Sequence, residues 1–221
     1  MLTLEDLLIS DYKIYQDDEL YRFTSDAVLL SRFTAAKKGE VVADFCAGSG
    51  IVGLNFYALN EKNVESVTLI ELQKSLSELS EKTIEYNRLT DKFTAVCEPL
   101  QTAAEKFKNK FTLVLCNPPF IKKGAGYGTE SDPLSICKKE ITVTFAEIAE
   151  AAAKTLKNGG RFVVVHRADR IADVLTEMKR RGIEPKRLQF VAPLNKPPYL
   201  MLCEGVKGAK SGLKILQTAV N

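Results

Sequence analysis

The chain contains no tryptophan, a single histidine (His166) and five cysteines that form no C-x-x-C pair. One histidine and no paired cysteines leave too few soft ligands for a zinc centre, so no metal is expected. The odd, scattered cysteines exclude a disulfide framework. Cys97, Cys116 and Cys203 sit in or at the end of apolar runs, as reduced thiols acting as small core residues do. No run approaches the ~18–20 apolar residues of a membrane span. The opening "MLTLEDLLISDYK" carries acids where a signal peptide needs a basic n-region, so a cytoplasmic protein is expected. There is no internal repeat and no low-complexity tract. What is present, 221 residues at 45% hydrophobic and 27% charged, suits one soluble α/β domain spanning 1–221.

Charge is unevenly spread. Residues 1–100 hold 10 Lys and Arg against 17 Asp and Glu, a balance of −7, whereas 101–221 hold 21 against 11, a balance of +10. A basic half of this kind suits either a polyanionic partner or a solvated lysine surface. Its dense points are Lys122/Lys123, Lys138/Lys139, Arg167/Arg170 and Lys186/Arg187.

Apolar, β-branched bursts recur at 40–45, 66–71, 93–97, 111–116, 161–166, 187–193 and 199–205. Most are continuous rather than alternating, the mark of strands buried on both faces. Helix-period stretches at 51–60, 74–88, 141–157 and 168–181 separate them, and "KNGG" (157–160) reads as a helix stop. Alternating strands and helices predict a Rossmann-like, seven-stranded, mostly parallel sheet with helices on both faces. Only "LNKPP" separates the last two strands, which predicts an antiparallel C-terminal edge hairpin. A segment of about 35 residues precedes the 36–221 core. In it Thr24 or Ser25 would cap a helix with an apolar stripe of Ala27, Leu30 and Phe33.

Three features carry chemistry. After the first core strand, "DFCAGSGIVG" (44–53) places Gly48, Gly50 and Gly53 in a G-x-G-x-x-G pattern that lets backbone approach a ligand at a helix N-terminus. At the end of the second strand, Glu71 is placed to accept both hydroxyls of a ribose. Together these predict a nucleoside-bearing cofactor; NAD and S-adenosylmethionine share them. Asp44, at the end of the first strand, favours the second, because it can face a cationic amino group. The third feature is "LVLCNPPF" (113–120), a buried strand running into a rigid turn. The adenine amine is a poor nucleophile because its lone pair is delocalised. Asn117 Oδ1 and the Pro118 carbonyl can accept its two hydrogens, while Pro118 and Pro119 hold these acceptors rigid. Phe120 can stack on a base taken from its strand.

With these motifs the chain resembles the class I S-adenosylmethionine-dependent methyltransferases, in the N6-adenine group with "NPPF" after the fourth strand. "YRFTSDAVLL", "DFCAGSG", "NPPF", "KNGGRFVVVHR" and "EPKRLQFV…EGVKG" follow the order of the bacterial tRNA1(Val) (adenine(37)-N6)-methyltransferase family, over about residues 15–215. One departure is Cys46-Ala47, where that family's loop commonly carries Gly-Thr. The resemblance implies that Asp44, Cys46, Ala47, Gly48 and Gly50 hold the methionine portion of the cofactor. It gives Glu71 and Leu72 the ribose, Cys97 or Glu98 the adenine edge, and Asn117, Pro118, Pro119 and Phe120 the target base. Phe23, Thr24 and Asp26 either close over the cofactor or cap a helix. Lys122, Lys123, Lys138 and Lys139, in the long loop after the catalytic turn, would meet RNA phosphates or water. His166 and Arg167 would lie at the same mouth, with His166 as an RNA contact, a structural residue or a base.

The implied activity is N6-methylation of an adenine in structured RNA by a monomer, with a tRNA anticodon loop, A37 of tRNA1(Val), as substrate. The rivals are an rRNA adenine, a protein glutamine whose amide offers the same two hydrogens, and a catalytically silent RNA-binding domain. The glutamine group has a tyrosine in place of Phe120 and an extra N-terminal domain not expected here.

Overall fold

The computed structural model describes residues 1–7, 9–20, 25–119 and 143–220. The chain opens with an antiparallel hairpin, β1 (Leu2–Asp6) and β2 (Lys13–Asp17), followed by α1 (Ser25–Phe33). Strand and helix then alternate: β3 (Glu40–Phe45), α2 (Ile51–Asn60), β4 (Val64–Glu71), α3 (Lys74–Tyr86), β5 (Phe93–Cys97), α4 (Leu100–Lys106) and β6 (Phe111–Cys116). Next among the described residues come α5 (Phe145–Thr155), β7 (Leu156–Arg167), a 3-10 turn (Ala168–Arg170) and α6 (Ile171–Arg180). β8 (Ile183–Ala192), β9 (Leu200–Lys207), β10 (Lys214–Ile215) and β11 (Ala219–Val220) complete the described chain.

The sheet runs in the order β10-β8-β9-β7-β6-β3-β4-β5, with β11 also on β8. β3 to β7 are mutually parallel, and β9 lies antiparallel between β7 and β8. The chain reverses direction across the sheet at β3, whose neighbours are β4 on one side and β6 on the other. At such a switch point the loops leaving the carboxyl ends of two adjacent strands turn opposite ways and open a crevice.

Two apolar layers flank the sheet. On one face Leu30, Phe56, Leu69, Leu113 and Val163 pack beneath α1, α2 and α3. On the other Phe45, Ile70, Phe111, Ile148, Phe162 and Met178 pack beneath α4, α5 and α6. Ala27, Leu30 and Phe33 are the buried stripe of α1, as their spacing predicts.

Several boundaries differ from the sequence reading. The helix before β7 ends at Thr155, and "KNGG" belongs to β7 itself, where the pairing with β6 slips between Phe111 and Leu113. Gly159 takes φ +76° inside that irregularity, so its glycine serves a strand bulge rather than a helix stop. α5 begins at Phe145 because Thr144 and Glu147 form a reciprocal capping box. The β1–β2 hairpin, α4, β10 and β11 add to the elements legible in the periodicity. Lys186 and Arg187 lie in the first half of β8, away from the strand ends that open the crevice, so they do not join a basic rim there.

Arg187 instead stacks over the Phe33 ring at 4.8 Å and belongs to a buried polar cluster at the sheet's other end. Arg161 on β7 donates to Glu40 at 2.5 Å, to Thr34 at 2.7 Å and to the Ala35 carbonyl at 3.0 Å, and lies 3.5 Å from Glu204. These bonds tie the end of α1 to β3, β7 and β9. Arg161→Ala strands two buried carboxylates, so unfolding free energy should fall by ~3–5 kcal/mol. Chemical denaturation checks it; a loss under ~1 kcal/mol, the scale of an exposed pair, would show the cluster to be solvated.

Candidate functional site

The crevice is built from the ends of β3, β4, β5 and β6. Asp44 is wholly buried, on the face of β3 that meets α2, and its Oδ2 accepts the Gly53 amide hydrogen at 2.8 Å. The bond draws the first turn of α2 back onto the strand, and the five residues between β3 and α2 must turn sharply. Cys46, Gly48 and Gly50 all take positive φ, at 56°, 58° and 90°. Glycine adopts these torsions freely, whereas Cys46 holds its own at a cost on the order of 1–2 kcal/mol. The Cys46-Ala47 departure therefore falls on a left-handed torsion, and the fold accepts it.

Gly53 is required by packing: a Cβ there would come within 2.6 Å of Leu69 and 3.3 Å of Asp44 Oδ2. Gly48 is different. Its Cβ would meet nothing within 4 Å, so backbone alone lines open space at that point.

Glu71 closes the crevice from β4. It is buried, and its carboxylate accepts from Gly48 N at 2.8 Å and from Gln73 N at 2.9 Å. Two amides fix its plane, and each oxygen keeps a second lone pair. Glu71 is thus joined to the glycine loop 23 residues upstream. Cys97 stands beside it in the β4–β5 register, and the Glu98 amide donates to the Glu71 carbonyl. The Glu98 carboxylate leans toward Lys106 at 3.5 Å, while Leu72 is 46% exposed and forms an apolar lip. Asp44, Cys46, Ala47, Gly48, Gly50, Glu71, Leu72, Cys97 and Glu98 therefore converge on one crevice.

Asn117 follows Cys116 at the end of β6, next to β3. It is half-buried, Pro118 is buried and Pro119 half-buried. The Asn117 side chain makes no hydrogen bond with any described residue. Phe23, Thr24, Phe120, Lys122, Lys123, Lys138 and Lys139 lie outside the described residues. Asp26 opens α1 on the far side of Asn117 from the glycine loop, beside Arg167 and Tyr199.

His166 is buried, and its Nδ1 accepts the Arg167 amide hydrogen at 2.9 Å. Burial first, then the Arg170 and Arg167 charges, pushes its pKa down to about 4. A neutral ring with Nδ1 engaged carries its proton on Nε2, so it donates there and has no lone pair left for a general base.

The sequence reading missed Gln16. This buried β2 residue donates to Ser49 Oγ at 2.6 Å, and Tyr15 N and Lys13 N donate to Thr83 and Asn87 of the α3 region. The N-terminal hairpin thus braces the glycine loop from outside. Its only signal is the strand alternation that puts Gln16 on the same side as Ile14, which many exposed strands share.

The donor set fits a nucleoside bearing a cationic amino-acid tail. Asp44 Oδ1 is buried without a hydrogen-bond partner, and desolvation, with Glu71 adding repulsion against the Gly53 bond, raises the Asp44 pKa to about 7. A cation over the loop would return it to the carboxylate. Ligand-free, the fold binds this proton more tightly than the unfolded chain, whose value is 3.8. The stabilisation is full below pH ~4 and is lost as pH rises through ~7. Asp44→Asn should therefore flatten the fall in melting temperature between pH 5 and pH 8. An unchanged pH profile in calorimetry would show that Asp44 is charged throughout.

The model of the methyltransferase small domain family matches residues 24–181. A tRNA1(Val) (adenine(37)-N6)-methyltransferase of Flavobacterium psychrophilum is 23% identical over 70% of this chain and 64% of its own length. One of the same name from Haemophilus influenzae is 26% identical over 86% of this chain and 80% of its own. The chain thus spans just under two thirds of the Flavobacterium relative. The solved structure of a predicted O-methyltransferase from Agrobacterium tumefaciens superposes with a TM-score of 0.70 at 20% identity, covering 88% of this chain and 86% of that one. With a family match over most of its length and this fold, the chain belongs to the methyltransferase small domain family.

Proposed function

We propose that the protein transfers a methyl group from S-adenosylmethionine to the N6 amine of an adenine in tRNA, at A37 of the tRNA1(Val) anticodon loop. The observation that carries this reading is the place of Asn117, at the end of the strand beside the glycine loop, where its amide bonds to no described residue. Bound S-adenosylmethionine supplies an electrophilic methyl group. Gly48 leaves room for its amino-acid tail, Gly50 lets the loop turn tightly against Leu69 beneath it, Asp44 contributes negative charge under the loop, and Glu71 receives its ribose hydroxyls. Leu72, Cys97 and Glu98 border its adenine.

Asn117 Oδ1 and the Pro118 carbonyl accept the two hydrogens of the target amine and draw its nitrogen toward tetrahedral geometry. Phe120, next in the motif, is the stacking partner for the base. The prolines fix the acceptors before the reaction, so little reorganisation remains. No general base is required until the proton leaves, and His166 Nδ1 is not available as one. A tRNA substrate puts the enzyme in the cytoplasm.

Nucleoside mass spectrometry of tRNA from cells with and without the protein tests the reading. N6-methyladenosine should depend on it; methylation of a glutamine peptide in its place would overturn the RNA assignment. Asn117→Ala should cut turnover ~10²–10³-fold while S-adenosylmethionine affinity holds. Glu71→Ala should raise the cofactor dissociation constant at least ~10-fold, the loss of a charge-assisted bond. Unchanged affinity in calorimetry would remove Glu71 from the site.

A further inference from the structure

Beyond β6, on the side away from the glycine loop, the mouth holds a second cavity of about 450 Å³. It is lined by Asp26, Arg167, Asp169, Pro198, Tyr199 and Leu200. Arg167 ends β7 and pairs with Leu200 at the start of β9, so this pair forms the floor. β7 and β9 stand one and two strand spacings, ~5 and ~10 Å, from β6, the strand that ends at Asn117.

The walls are rigid and chemically mixed. Tyr199 follows two prolines, repeating at this strand end the Pro-Pro-aromatic order of the catalytic turn. Its backbone is pinned on both sides, the amide donating to the Val191 carbonyl at 3.0 Å and the carbonyl accepting from Ala168 N at 3.0 Å. The residue is 41% exposed. Arg167 is held by Asp169 through two contacts, at 3.1 and 2.5 Å. Asp26, in the first turn of α1, adds a carboxylate whose position is set from the other end of that helix by Thr34 in the Arg161 cluster.

We propose that this cavity takes the nucleotide next to the target adenine in the RNA strand and favours a base with an exocyclic amine over uracil. This rests on the RNA reading above and extends it to the neighbouring base. An exposed, fixed aromatic offers a stacking surface that any base can use. Carboxylates only accept hydrogen bonds, so Asp26 and Asp169 suit the amine of cytosine, adenine or guanine. At its 4-position uracil presents a carbonyl oxygen where cytosine presents an amine, and a carboxylate facing that position repels it. The fixed guanidinium of Arg167 lies where the backbone phosphate of such a nucleotide would pass. The target base itself is held at Asn117, so the base in this cavity is its neighbour.

The test uses the full-length protein with S-adenosylmethionine and short RNA hairpins, each carrying one target adenine. The base on its 5′ or 3′ side is set as cytosine or as uracil, which differ at the 4-position by amine against carbonyl. On one side uracil should lower kcat/KM about tenfold. Asp26→Asn, whose amide can also donate, should bring the two RNAs within about twofold. Tyr199→Ala should raise the RNA KM for both about tenfold, and Tyr199→Phe should restore it. Equal kcat/KM for cytosine and uracil on both sides, or an unchanged ratio in Asp26→Asn, overturns the proposal while the RNA reading stands. If no hairpin and no tRNA is methylated, the RNA reading itself fails and this proposal falls with it.

Discussion

One hydrogen bond, from the Gly53 amide to Asp44, sets the geometry of the whole crevice. It joins the end of the first core strand to the third residue of the helix that follows. The intervening loop can close only with three residues in left-handed torsions. That turn leaves the Gly48 amide pointing at Glu71, whose carboxylate is then fixed by two amides on opposite sides. Asp44 can do this only because it is buried, and burial holds its pKa near 7. The loop's shape and its affinity for positive charge therefore have one cause.

The strand order translates this local geometry into a line of sites. β5 and β4 carry the nucleoside end of the crevice, β3 the glycine loop, β6 the amide of Asn117, and β7 with β9 the second cavity. Neighbouring strands are ~4.8 Å apart, so under the proposed function this line seats methyl donor, acceptor amine and flanking nucleotide in succession. Inserting β9 antiparallel between β7 and β8 makes the last of these possible. Its start, rather than its end, then lies at the mouth, and the Pro-Pro-Tyr turn enters there.

Much of this was legible from the residues. Continuous β-branched runs located the parallel strands, and the three chemical motifs converge on one crevice as their positions predicted. What escaped was decided by tertiary contact. The β1–β2 hairpin has too little periodicity to announce itself, and it is held by side chains of the α3 region such as Asn87 and Thr83. "KNGG" carries the glycine signal of a helix stop, yet its glycine serves a slipped strand pairing that no local pattern records. Arg187 read as part of a basic rim, but a distant ring, Phe33, and a buried acid, Glu204, hold it inward. Net charge by sequence interval cannot see such pairings.

The two ends of the sheet treat polar groups in opposite ways. At the amino ends of the strands Arg161, Glu40, Glu204 and Thr34 bond to one another, with only Arg161 Nε of the cluster left without a partner among the described residues, and the result is a fixed position for α1. At the carboxyl ends, among the described residues, Asp44 keeps an oxygen and Asn117 an amide without a hydrogen-bond partner. An unsatisfied buried acceptor costs ~1–3 kcal/mol, so the fold bears it only where surrounding contacts hold the group in place. The cross-linked amino end supplies that restraint through α1, α2 and the sheet between them. A ligand that completes the unsatisfied groups at the mouth recovers this cost on binding. The same groups that weaken the ligand-free fold thereby become the source of its selectivity.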